Sequence, residues 1–350
     1  MSTTPWSTLP GKKSAHVVLR RRSVLAGEYE FLLQHRALQG WAEALPRAVQ
    51  IKKGQNVLGI PGGTAGPQDA NPAMTAWREL LEECCAHNGT APHAPFTLPE
   101  FNKATVQCIR VAPARFLFVV DVSSHPAMSE EWWAGLPPVP GSSASKEMNT
   151  RVWPTGHFWA GEGEIDGALR KQARGASHFL GLRGNIVWPV VGEQMRVLRY
   201  GWGTTRPIVL YHGCPVNALA SVMYGDMGKG VYFTGAKQAG AVAADTSTVP
   251  DSFIVGEQRH LIGFPTVNMF RVALGECKVI TRFDATRCTC DCGAQYTDHE
   301  QSWHTLQGFN SVMRLAGAGT PHFQVCLPMP TMEFLQVVTA HEASVEGEIQ

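Results

Sequence analysis

The strongest constraint in the chain is residues 59–85, where Gly-Ile-Pro-Gly-Gly-Thr-Ala-Gly-Pro-Gln-Asp-Ala-Asn runs into Pro-Ala-Met-Thr-Ala-Trp-Arg-Glu-Leu-Leu-Glu-Glu-Cys-Cys. Proline is tolerated in a first helical turn, so the second half predicts a helix from Pro72. Ala73, Trp77, Leu80, Leu81 and Cys84 recur at three- and four-residue spacings and should face a core. Glu79, Glu82 and Glu83 fall together on the other side, at i, i+3 and i+4. Like charges at that spacing repel, and a hard divalent cation that accepts carboxylate oxygens removes the repulsion. The preceding Gly- and Pro-rich loop suits backbone lying close to a phosphate-bearing ligand. Taken alone, the acidic cluster is also what a solvated helix face looks like.

The loop and the helix together resemble the signature of the Nudix hydrolases, Gly-x5-Glu-x7-Arg-Glu-U-x-Glu-Glu-x-Gly-U with U aliphatic. Gly63, Arg78, Glu79, Leu80, Glu82 and Glu83 match it. Asp69 stands where the first Glu is expected, with one extra residue before Arg78, and Cys85 replaces the closing Gly. The resemblance implies an α/β/α sandwich. It implies Mg²⁺ or Mn²⁺ held by Glu79, Glu82 and Glu83 as metal-binding and catalytic residues, and a nucleoside diphosphate-linked substrate. Arg78 would be structural, pairing with Glu82 or a loop carbonyl.

A chain of 350 residues with 44% hydrophobic content has room for two cored domains. The formal net charge of +1 gives no broad electrostatic case for DNA, RNA or a membrane surface. The start, Met-Ser-Thr-Thr-Pro-Trp, has no apolar signal core, and no later run reaches the roughly 18 apolar residues of a membrane span. These features lead to an expectation of a soluble cytoplasmic or nuclear protein with no membrane partner. They leave the oligomeric state open.

In the first half, residues 16–19 and 29–33 read as strands around a turn at Ala26-Gly27, and 57–60 as the strand delivering Pro61-Gly62-Gly63 to the helix. Arg20, Arg21 and Arg22 read as a solvated strand end. Residues 105–109 and 115–122 form a further strand pair, 135–145 a loop, and 165–174 a final helix. Glu147, before Trp153-Pro154, sits where Nudix proteins often carry a late Glu, and an ordinary exposed Glu reads equally well. A composition change near residue 200 places the boundary between a domain at 1–195 and one at 206–350.

The second half opens with Ile-Val-Leu-Tyr-His-Gly at 208–213, a buried-strand run ending in a His-Gly pair. Residues 217–224 and 237–244 read as helices, and Gly-Lys-Gly-Val-Tyr-Phe-Thr at 228–234 as a strand entered through glycines. Gly213 leaves backbone open to a planar amide, His212 can hold a sugar hydroxyl, and Tyr232 can stack on an aromatic cation. Singly, His212 and Tyr232 are what ordinary core positions look like. Together they resemble the ADP-ribosyltransferase fold of the poly(ADP-ribose) polymerase type, with Leu-Gln-Gly-Phe-Asn-Ser-Val at 306–312 as a further match. The resemblance implies a split β-sheet domain of α+β class after the α/β first domain. It implies NAD⁺ as substrate, bound by His212, Gly213, Gly230 and Tyr232, with His212 and Tyr232 catalytic. The family's third key residue is a Glu opening a late strand; at 323–327 that place falls to Gln324, with Glu333 as the alternative. A neutral amide favours mono-transfer or binding over polymer synthesis.

Cys288, Cys290 and Cys292, with Cys277, His299 and His304 around them, form the densest thiol region. Cys-x-Cys-x-Cys is not a common zinc spacing, so reduced loop thiols are the default and a structural zinc is the alternative. Both halves point to NAD⁺ and ADP-ribose metabolism. The main reading is a bifunctional enzyme acting on a small nucleotide, with a protein or nucleic acid as acceptor of ADP-ribose. The alternatives are a Nudix hydrolase with a catalytically silent ligand-binding domain, and a non-enzymatic sensor.

Overall fold

A computed structural model describes residues 6–23, 27–36, 56–84, 87–88, 91–92, 97–125, 154–173, 177–180, 197–215, 222, 231–235, 239, 265–284, 308–318, 324–327 and 332–338. The chain divides into two compact units, Met1–Arg196 and Val197–Gln350. It is a mixed α/β protein with several sheets.

In the first unit, β1 (Ser14–Arg22), β2 (Tyr29–Arg36), β3 (Asn56–Gly59) and β4 (Gly62–Thr64) lead into α1 (Pro72–Cys84). A short pair, β5 (His87–Asn88) and β6 (Ala91–Pro92), separates it from α2 (Leu98–Ala104). Then come β7 (Thr105–Ala112), β8 (Arg115–Asp121), β9 (Pro154–Gly161), α3 (Glu162–Ala173) and β10 (Ser177–Leu180). The main sheet runs β10-β3-β2-β1-β8-β7, with β4 paired to β1 and β9 to β2. β1 lies parallel to β8, and β10 parallel to β3.

The central strand shows why the sequence folds this way. Ala15, Val17 and Leu19 of β1 join Ala76, Leu80 and Leu81 of α1 and Phe101 of α2 in one buried cluster. Ser14, Val18 and Arg20, on the opposite parity, are buried as well. A strand covered on both faces fits its parallel pairing with β8. Helix α1 begins at Pro72, where the sequence places it, and Asn71 caps it by accepting the Met74 N–H on Oδ1 at 2.9 Å. Ala73 and Trp77 pack at the cluster's edge, and the Cys84 side chain lies outside the described residues.

Two local readings are corrected, and one element is new. Gly62 and Gly63 form the short strand β4 against Ser14–His16 and not a bare turn. Arg20 is buried and not at a solvated strand end: its Nε bonds Asp121 at 2.9 Å and its guanidinium lies 4.2 Å from the Tyr29 ring centroid. Asp121 neutralises a charge that burial alone would penalise. Helix α2 is unforeseen, although its capping box, Thr97 with Glu100, stands in the sequence.

In the second unit, β11 (Ile208–Pro215), β13 (Pro265–Val272) and β17 (Met332–Val338) make one antiparallel sheet. The other sheet runs β12 (Val231–Phe233), β16 (Gln324–Leu327), β15 (Ser311–Arg314) and β14 (Cys277–Ile280). Among the described residues a single bridge, between Tyr211 and Thr234, links β11 to the end of β12, with backbone bonds of 3.0 and 2.8 Å. The helices expected at 217–224 and 237–244 lie outside the described residues except Val222 and Ala239, both helical and buried. No helix among the described residues is long and apolar enough to cross a membrane.

Candidate active site

Strand β4 brings two glycines against the acidic face of α1. Gly62 has φ of 147°, in the region that favours glycine, and a side chain there would strike the His16 and Ala15 backbone. At Gly63, the same addition would strike the Glu79 carboxylate. The Gly62 N–H donates to Glu83 Oε2 at 3.1 Å. Glu79 therefore closes down on a glycine whose β-carbon position it fills, while Glu83, at i+4, is held by the neighbouring Gly62, where the β1 strand fills that space. Glu79 and Glu83 are 3% and 9% exposed, so they face the loop and not open solvent. Glu82 is half-buried.

Arg78 ties the cluster together. Its Nη1 bonds Glu82 at 2.7 Å; its Nη2 bonds Glu79 at 2.9 Å, Asp69 at 3.0 Å and the Thr64 carbonyl at 2.9 Å. Desolvation works against the Arg78 charge, but the surrounding carboxylates outweigh it and raise the pKa. Burial would push Asp69 up, yet bonds from Arg78, the Gly66 N–H at 2.8 Å and the Thr75 hydroxyl at 3.0 Å hold its carboxyl below the usual range. Asp69 thus pins the loop to the helix. Burial, joined by the like charges of Asp69 and Glu83, pushes Glu82 up in spite of Arg78.

Among the described residues no group of three or more His, Cys, Asp or Glu side chains is arranged to hold a metal ion. The donor set still fits a hard divalent cation in kind. Asp69, Glu79 and Glu82 bond the single guanidinium of Arg78 and Glu83 lies on the same helix face, so carboxylates outnumber the one cation. Glu147, Cys288, Cys290, Cys292, His299 and His304 lie outside the described residues. Cys277 is buried in β14, and burial pushes its thiol up to about 12, an environment that disfavours the thiolate a metal needs.

In the second unit, His212 on β11 and Tyr232 on β12 are in contact. His212 Nδ1 lies 2.6 Å from the Tyr232 carbonyl oxygen. A carbonyl only accepts, so Nδ1 carries the proton and Nε2 of the neutral ring is left as an acceptor. Burial holds the ring's pKa below its ordinary value, against the opposing pull of that carbonyl. Gly213 is buried in β11, and Tyr232 is half-buried between the buried Val231 and Phe233. Gln324 opens β16, the strand beside β12, in register with Arg314 of β15. Glu333 is exposed on β17 and paired with Arg271. Gly230 lies outside the described residues.

Sequence reasoning passed over one part of the first unit. Trp6, Gly11, Lys12 and Lys13 line a cavity with the loop from Thr64 to Ala70. The adjacent lysines just ahead of β1 were the signal available.

No protein-family model and no curated protein matches the chain. Among solved structures, a Nudix hydrolase from Alicyclobacillus acidocaldarius is 16% identical, with a TM-score of 0.28 over 55% of this chain and 93% of that one. A MutT/nudix family protein from Enterococcus faecalis is 12% identical, with a TM-score of 0.22 over 43% of this chain and 44% of that one. A T. brucei MERS1–RNA complex gives 18% identity and a TM-score of 0.25 over 52% of this chain and 63% of that one. None of these supports the ADP-ribosyltransferase resemblance of the second unit. With TM-scores this low, what the sites do is argued from their residues.

Proposed function

We propose that the first unit hydrolyses a nucleoside diphosphate-linked compound of the ADP-ribose or NAD type. The observation that carries this reading is the closure of Glu79 and Glu83 on the Gly62–Gly63 pair, beside an arginine already saturated by carboxylates. A solvated acidic face has no reason to bury two of its glutamates or to set one of them, Glu79, against a glycine's bare backbone. Mg²⁺ or Mn²⁺, when bound, would offset the surplus charge, draw on the diphosphate oxygens and lower the pKa of a water. Glu79, Glu82 and Glu83 are the residues that would hold it. Arg78 fixes the directions of Glu79 and Glu82, and the Gly62 N–H fixes that of Glu83. Glycine at both loop positions lets the substrate's phosphates approach the backbone. Water adds to phosphorus, the bridging P–O bond breaks, and two monophosphates leave.

The test is incubation of the full chain with ADP-ribose, NAD⁺, NADH and other nucleoside diphosphate compounds plus Mg²⁺, with chromatography of the products. AMP or another monophosphate is expected, and Glu83→Gln should remove most of it while the protein stays folded. Failure of every compound to yield a monophosphate would end the hydrolase reading.

A second reading concerns the other unit, favoured by the bond that sets the His212 tautomer. Nε2 is left to accept from a ribose hydroxyl, and the Gly213 backbone and the Tyr232 ring would receive nicotinamide. Gln324, one strand along, offers an amide where transfer would profit from a carboxylate. NAD⁺ binding with slow mono-ADP-ribosyl transfer to a protein or nucleic acid is the expected outcome. Labelled NAD⁺ supplied to Glu83→Gln protein tests it; loss of neither label transfer nor binding in His212→Ala would remove His212 from the site.

A further inference from the structure

The cavity between the N-terminal segment and the glycine-rich loop has a volume of about 680 Å³. That is within the range of small-molecule sites, roughly 300–1,000 Å³. Its walls are fixed by backbone: the Ala65 N–H donates to the Lys13 carbonyl at 3.0 Å, and Ser14 pairs with Thr64. Gly11, at φ of 89°, makes the left-handed turn that carries Lys12 and Lys13 onto the rim. Apart from these lysines, the one charged residue in the lining is Asp69, whose carboxyl is taken up by Arg78, Gly66 and Thr75. The wall is therefore net cationic. Trp6 closes one wall with a buried ring, 7% exposed, that packs edge-on against Phe116.

We propose that this cavity is a nucleotide subsite. Lys12, with Lys13 beside it, takes a phosphate of the ligand, and the remaining volume, walled on one side by the Trp6 ring, receives its sugar and base. The assignment rests on the nucleotide-hydrolase reading of the adjoining loop and names where the substrate's anchored end lies. Lysine suits the task as a point charge on a flexible stem, able to follow a phosphate without fixed geometry.

The experiment is calorimetric titration of the full chain with ADP, and separately with inorganic pyrophosphate, in EDTA so that hydrolysis does not consume the probe. ADP should bind, and Lys12→Glu should weaken it by at least about tenfold, the scale of one charge-assisted bond. Lys12→Arg, which keeps the charge, should stay within about threefold of the parent. Pyrophosphate should bind at least about tenfold more weakly than ADP, because it leaves the sugar and base volume unfilled. The proposal is overturned if ADP does not bind at millimolar concentration, if Lys12→Glu and Lys12→Arg bind alike, or if pyrophosphate matches ADP. Hydrolysis with an unchanged KM in Lys12→Glu would sink the subsite and leave the hydrolase reading intact. Lys12-dependent ADP binding in a protein that hydrolyses nothing would do the reverse.

Discussion

In the first unit three carboxylates, Asp69, Glu79 and Glu82, bond one guanidinium, while a fourth, Glu83, accepts a backbone N–H from Gly62. In the second unit His212 is fixed by one neutral bond from its ring to the Tyr232 carbonyl. The first arrangement depends on ionisation and on a loop backbone that can approach a helix closely. The second depends on desolvation, which keeps the imidazole uncharged. A charge network can be broken by removing its single cation. A desolvated histidine yields to protons instead.

Four experiments would break or sharpen this contrast. The largest effect is expected from Gly62→Ala, which combines a left-handed backbone with a clash against the His16 and Ala15 backbone. Strain and overpacking together should cost roughly 3 kcal/mol. Hydrogen exchange should show lost protection in β1, β4 and α1, with β11 and β13 unchanged; equal loss in both units would contradict the separation. Arg78→Leu comes next. It strands Asp69, Glu79 and Glu82 without their common cation, and because the arginine is partly exposed the cost should be about 2 kcal/mol. Urea denaturation with and without added Mg²⁺ measures it, and rescue by the cation would mark the stranded carboxylates as its ligands.

Smaller again is the response to acid. His212 has a folded-state pKa below its ordinary 6.5, so the unfolded chain binds that proton first. Its contribution to stability is present above about pH 6.5 and falls as the pH drops through that value toward the lower folded pKa. Asp69, held below 3.8, keeps its contribution until the pH falls below that figure. Glu82, raised above 4.5, binds its proton earlier when folded and so does not weaken the first unit on the way down. Between about pH 6.5 and 4.5 segmental hydrogen exchange should loosen around β11 and β12 before α1, and His212→Gln should flatten that response. The reverse order would show that the acidic cluster is the weaker element. The smallest effect is at the helix cap: Asn71→Ala removes the acceptor of the Met74 N–H and should cost about 1 kcal/mol, read as a modest fall in denaturation midpoint.

Local rules located most of the pieces. Helix α1, strands β1, β2, β3, β7 and β8 and the pair β11 and β12 all follow from periodicity, caps and breakers that lie within a few residues of one another. So does the grouping of Glu79, Glu82 and Glu83, because helical spacing alone puts them on one side. Which of them would be buried did not follow. That was decided by the pairing of β4 with Ser14–His16, which presses two glycines onto Glu79 and Glu83. Arg20 makes the same point, since its partner Asp121 is 101 positions away and no window of sequence joins them. The cavity between Trp6, Lys12, Lys13 and the loop exists only once those segments are sewn together. Periodicity is a property of neighbours along the chain, and it fixes which face a residue takes. What that face meets is a long-range choice made by packing and by charge satisfaction, and only the tertiary structure makes it.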